Sequence, residues 1–133
     1  MNIPSSFSQT AQTFKPFKHG GYLKEAKDQF GTLLETEIGE IFFTEEQIER
    51  EGTQYLLEFL NTFAPEDLPE KEKQIRLRTQ KCFAIDGAGN PFCMDFSQTP
   101  AQPSVTYWDD GELAWRRVAD SIAHFFALFL PED

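Results

Sequence analysis

The apolar positions of the chain fall into runs whose spacing predicts the elements. In the first twenty residues Pro4 suits an opening helical turn, Phe7, Ala11, Phe14 and Phe17 lie near one face, and Gly20-Gly21 close the segment. Pro16 shortens or kinks that helix. Tyr22, Leu23, Phe30, Leu33 and Leu34 supply core candidates without a sustained period, and EIFF at 40–43 reads as a short strand. The clearest helix opens at Thr44, whose hydroxyl is placed to cap while Gln47, three residues on, returns the bond. Ile48, Tyr55, Leu56, Phe59, Leu60 and Phe63 then recur at helical spacing with Gly52 among them, while Arg50, Glu51, Gln54, Glu58 and Asn61 fill the opposite side. Ala64-Pro65 ends it.

Beyond the loop APEDLPEKEK the period becomes two. Ile75, Leu77 and Thr79 alternate with Arg76, Arg78 and Gln80, which predicts a strand leading into KCFAID. The sequence DGAGN follows, then PFCMDF, a hairpin pattern in which Gly87 and Gly89 are expected to supply positive φ at a tight reversal. SVTYW at 104–108 reads as a third strand, broken by Asp109-Asp110-Gly111. The last segment reads as a helix with Trp115, Val118, Ala119, Ile122, Phe125, Phe126 and Phe129 on one face. Helices before and after a run of antiparallel strands, without a strand-helix repeat, predict an α+β fold. The length of 133 residues suits a single domain over 1–133.

Composition narrows the function classes. A net charge of -10 repels phosphate backbones and anionic lipid, so neither nucleic acid nor a membrane is the expected partner, whereas a basic protein is. Residues 35–70 carry eleven acids and one base, and Lys71, Lys73, Arg76, Arg78 and Lys81 form a short basic counterweight. No apolar run reaches a membrane span, and MNIPSSFSQT lacks the basic start and apolar run of a signal peptide, so a cytosolic protein is expected. Cys82 and Cys93 are then expected as reduced core thiols.

Candidate chemistry is sparse. Two Cys and two His, scattered as they are, make no zinc pattern, and no cofactor is expected. His19 sits at a predicted helix end and His124 on the polar side of the last helix. Ser121 precedes His124 by three residues, but a triad also needs an orienting acid and an oxyanion hole. DGAGN lacks the further oxygen ligands and closing Glu of a calcium loop, and the Lys and following helix of a phosphate loop. A binding protein rather than an enzyme is expected, with a small hydrolase built on a carboxylate pair as the least favoured class.

Two acidic regions compete as the binding surface. One is the start of the helix from Thr44, with Glu45, Glu46, Glu49 and Glu51; the other follows the third strand, with Asp109, Asp110 and Glu112 beside Tyr107 and Trp108. Strand alternation is expected to turn one of those two rings outward as an interface anchor, which favours the second region. Charge reversal at Asp109 and Asp110 is then expected to slow association while leaving stability nearly unchanged.

The order of motifs resembles the SUKH superfamily, which includes fungal cell-wall assembly regulators and bacterial immunity proteins that neutralise polymorphic toxins. The resembling residues are Cys82 to Phe96, Val105 to Asp110 and Val118 to Phe129, with a weaker echo in IPSSF and FKPFKHGG at 3–21. His19 stands where the family more usually has Asn, and the helix at 44–63 carries few family landmarks. The resemblance implies a twisted, mainly antiparallel sheet packed by helices, and a role in binding protein. For an immunity protein the expected partner is a basic toxin domain, drawn in by the acidic surface; the alternative is a regulatory scaffold that binds a signalling or cell-wall enzyme.

Overall fold

A computed structural model describes residues 21–22, 30–31, 37–42, 44–62, 69–98, 102–109 and 114–127. Among these residues six strands, β1 (Gly21–Tyr22), β2 (Glu37–Ile41), β3 (Gln80–Asp86), β4 (Pro91–Asp95), β5 (Ser104–Asp109) and β6 (Ala114–Ala119), form one sheet in sequence order, each antiparallel to its neighbours. The fold is α+β, as the element pattern predicts. The expected helix at 4–20, with His19, lies outside the described residues, as do Phe63 and Phe129.

The helical segment after β2 begins as expected. Thr44 accepts a hydrogen bond from the Gln47 backbone N–H through Oγ1 at 3.0 Å, a cap that stabilises the first turn by about 1 kcal/mol. The segment runs as α1 (Glu45–Gln47), a π-helical turn (Ile48–Gly52) and α2 (Thr53–Thr62). Ile48, Gly52, Leu56, Phe59 and Leu60 are buried, the side predicted from the spacing. Gly52 explains how the segment approaches β3 so closely. A Cβ there would lie 2.1 Å from the Cys82 carbonyl oxygen, so only glycine lets the backbones meet.

Two segments differ from the sequence reading. Residues 75–79 belong to α3 (Glu70–Thr79), and β3 starts at Gln80. The alternation of Ile75, Leu77 and Thr79 is too short to outweigh EKEKQIRLRT, a run dominated by good helix formers and started by Pro69. The second difference is the last segment, in which Trp115 to Ala119 lie in strand β6 and α4 spans only Ile122–Ala127. Apolar residues at 115, 118, 119 and 122 have the spacing of a helix face, which strand pairing overrides. Pairing decides, because Asp109 faces Ala114 and Trp108 faces Trp115 in adjacent antiparallel strands.

Tyr107 and Trp108 are consecutive in β5, so their rings point to opposite faces of the sheet. On one face Tyr107 stacks on Phe92 at 4.4 Å, Phe92 meets Phe125 of α4 at 5.2 Å, and Phe125 meets Phe83 at 5.2 Å. On the other, Phe59 of α2 contacts Trp108 at 5.9 Å and Trp115 at 6.1 Å, and Arg76 of α3 lies over Trp115. Helices thus cover both faces, and the edge-on geometry of most of these rings is the favoured aromatic arrangement.

Candidate functional site

The expected hairpin joins β3 and β4, with Cys82 opposite Cys93 and Ile85 opposite Pro91. Its turn is organised by a buried carboxylate. Asp86 accepts hydrogen bonds from Ala88 N at 2.9 Å, Asn90 N at 2.7 Å and Asn90 Nδ2 at 3.1 Å, and from the Tyr107 hydroxyl at 2.6 Å. Gly89 takes the left-handed conformation at φ 91°, and Tyr55 of α2 donates its hydroxyl to the Gly89 carbonyl. Gly87 has no positive φ, against expectation: one left-handed residue suffices once Asp86 folds the loop back onto its own amides. Both carboxylate oxygens of Asp86 and the Gly89 carbonyl are thereby used within the protein, in agreement with a structural turn.

The exposed aromatic expected beside the acids after β5 is absent, because Tyr107 and Trp108 retain only 6% and 3% of their accessibility. Alternation does place them on opposite faces, but both faces carry helices. Asp109 forms an ion pair with Arg116 at 2.9 Å, the carboxylate 16% and the guanidinium 19% exposed. Charge reversal at Asp109 would set a lysine against Arg116 in a partly desolvated place, so the expectation of unchanged stability is corrected. Asp110 and Glu112 lie outside the described residues.

The other acidic region is on the surface. Glu45, Glu46, Glu49 and Glu51 are all exposed along α1 and the π-helical turn. Glu46 pairs with Arg50 at 3.4 Å and Glu49 with Lys81 at 2.9 Å, tying the segment to β3. Glu45 and Glu51 have no ion pair among the described residues. The Glu46–Arg50 pair is exposed on both sides and contributes little to stability, whereas Lys81 is only 17% exposed and its pair with Glu49 helps to hold the segment on β3. The main physical effect of the exposed acids is the potential they project.

Cys82 and Cys93 are unbridged and fully buried. Burial, followed by the contact with Cys82, pushes the Cys93 thiol well above its ordinary pKa, the setting of an unreactive thiol. Ser121 accepts the His124 backbone N–H at 3.1 Å as a helix-start contact, and His124 is exposed. Among the described residues, no three His, Cys, Asp or Glu are grouped to hold a metal ion, and no helix is long and apolar enough to cross a membrane.

The turn held by Asp86, the β3–β4 hairpin and the aromatic strand β5 occur in the order that marks a known family. The pattern of the SMI1 / KNR4 family (SUKH-1) matches residues 6–128. The chain belongs to this family. No curated protein and no solved structure matches it. The match also runs across residues 22–75, which contain none of the motifs that carry the resemblance. Two features of this SMI1 / KNR4 chain escaped the sequence reading. The pairing of Asp86 with Tyr107 has a local sign, an Asp four residues before an Asn, but its distant partner has none. The stacking of Arg76 on Trp115 at 4.4 Å was hidden because both residues were assigned to the wrong type of element.

Proposed function

We propose that this SUKH-1 domain is a non-catalytic protein-binding module, an immunity protein that neutralises a basic toxin domain in the cytosol through its acidic surface. The observation that carries the reading is the exposed row Glu45, Glu46, Glu49 and Glu51 on a helical segment whose other side is buried against β3, in a chain of net charge -10. Toxin nucleases bind phosphate and are often basic, and a fixed negative surface raises the rate of encounter with such a partner. Family membership agrees with a binding role. Two buried, unbridged thiols agree with a reducing compartment. The acids that the sequence placed around Tyr107 and Trp108 are the weaker candidates, since both rings serve the core.

The test is capture of partners with the tagged protein, identification of the partner, and assay of that partner's activity after stoichiometric addition of the domain. Loss of a toxin activity supports the proposal. A signalling or cell-wall enzyme that binds and stays active replaces it with the regulatory-scaffold reading, and a partner whose binding ignores Glu45 and Glu51 removes the acidic row from it.

A further inference from the structure

Away from the acidic row, a cleft of about 420 Å³ opens between α3 and the sheet, within the range of small-molecule sites. Glu72, Arg76, Gln80, Asp95, Thr106 and Trp115 are among the residues that line it. Its charged and polar groups are only partly used. Arg76 lies with its guanidinium 4.4 Å from the Trp115 ring centroid and has no hydrogen bond or ion pair among the described residues. Burial lowers its pKa against the opposing pull of nearby negative charge, including that of Asp95 and Glu72. A half-buried, desolvated guanidinium without a hydrogen-bonding partner is costly, and its planar fork matches a carboxylate.

Gln80 adds a second donor. Its Oε1 accepts the Thr106 hydroxyl at 2.9 Å, which fixes the amide and leaves its N–H groups without a partner among the described residues. Opposite charge is available too. Asp95 accepts Ser97 N at 2.9 Å and Ser97 Oγ at 2.6 Å through Oδ1, with Oδ2 unused among the described residues, and Glu72 likewise has no ion pair there. Arg117, which also lines the cleft, is engaged by Asp120 at 3.6 Å.

We propose that this cleft binds a small zwitterion, a free amino acid or a dipeptide, with its carboxylate on Arg76 and Gln80 and its ammonium on Asp95 and Glu72. A doubly charged phosphate fits less well, because the two carboxylates that line the cleft would repel it. A ligand that brings both signs leaves neither set of protein groups unpaired. This site is independent of the acidic row and of the proposed partner.

Trp115 under Arg76 is a built-in reporter, with Trp108 as an internal control. The full chain is titrated at millimolar concentrations with glycine, glycylglycine, N-acetylglycylglycine and glycylglycine amide, and followed by the indole and backbone N–H resonances. Shifts at Trp115, Gln80 and Thr106 with glycine or glycylglycine, and at least about tenfold weaker shifts with the two singly charged compounds, are expected. A response to glycine identifies a free amino acid as the class, and a response to glycylglycine alone identifies a dipeptide. Arg76→Gln should abolish the shifts, and Asp95→Asn should weaken them while the thermal midpoint confirms folding. Equal response to the acetylated compound, response in Arg76→Gln equal to that of the unaltered chain, or no response in the cleft overturns the proposal.

Discussion

Tyr107 donates its phenolic proton to Asp86 across 2.6 Å, joining β5 to the end of β3 over the top of β4. The bond closes a network in which one buried carboxylate holds Ala88 and Asn90 as well. Hydrogen bonds to a charged acceptor contribute about 1.5 to 3 kcal/mol each. Tyr107→Phe should therefore destabilise by about 2 kcal/mol, and Asp86→Ala, which releases the whole turn, by about 3 kcal/mol or more. Urea unfolding of both variants measures this order. Equal small losses would show that the turn holds without its carboxylate.

Gly52 makes a separate prediction. Since a Cβ there meets the Cys82 carbonyl oxygen at 2.1 Å, Gly52→Ala should cost about 3 kcal/mol through displacement of the helix, although alanine favours helix in isolation. Gly89→Ala should be destabilising for the different reason of a strained left-handed backbone, with Tyr55 Oη 3.3 Å from the added carbon. A Gly52→Ala variant as stable as the unaltered chain would mean that the helix does not press on β3 as described.

Much of this was legible in the sequence where a local signal and a tertiary demand agreed. Thr44 with Gln47 marked a helix start, and DGAGN between two alternating runs marked a hairpin, because cap and turn chemistry act within a few residues. The failures have one physical origin. Each was a short stretch whose local spacing was overruled by its surroundings: the alternation of 75–79 by the helix propensity of the run that contains it, and the helical spacing of 115–119 by pairing of Trp108 with Trp115. The candidate site suffered in the same way: alternation along β5 gave the right faces for Tyr107 and Trp108, but no sequence pattern showed that Phe59 would cover the second face.

The thiols provide a chemical check. Cys82 and Cys93 face each other across β3 and β4, buried, and Cys93 is held protonated by its surroundings. Iodoacetamide at mildly alkaline pH should modify neither residue in the folded protein and both after unfolding, and mobility should be the same on reducing and non-reducing gels. Rapid modification of the native protein would contradict the burial of this pair.

Tyr55 sets an alkaline limit. Burial first, and then neighbouring negative charge, raise its pKa above the ordinary 10.0. The unfolded chain ionises first, so the stability contributed by the neutral hydroxyl is fully present below pH 10 and is lost as pH rises through the higher folded value. Tyr55→Phe should be less stable than the unaltered chain by about 1 kcal/mol at neutral pH, through loss of the bond to Gly89. That gap should narrow above pH 10. A gap independent of pH would show that the hydroxyl ionises alike in both states.

The acidic row yields the prediction closest to function. Glu49 is a poor site for a test, since its pair with Lys81 anchors the helix. Glu45 and Glu51 are exposed and without ion pairs among the described residues. Reversal of both to lysine should cost less than about 1 kcal/mol, most of it from Glu45, whose charge favours the first helical turn. Association with the captured basic partner should slow by about tenfold at low salt, with dissociation nearly unchanged. The difference should shrink as salt approaches 0.15 M, where screening acts over about 8 Å. Asp109→Lys is the instructive contrast, because it breaks the pair with Arg116 and should lower the thermal midpoint whatever it does to binding. If stopped-flow association is the same for the double variant and the unaltered chain at every salt concentration, the row from Glu45 to Glu51 is not the steering surface, and its charges only solvate the helix.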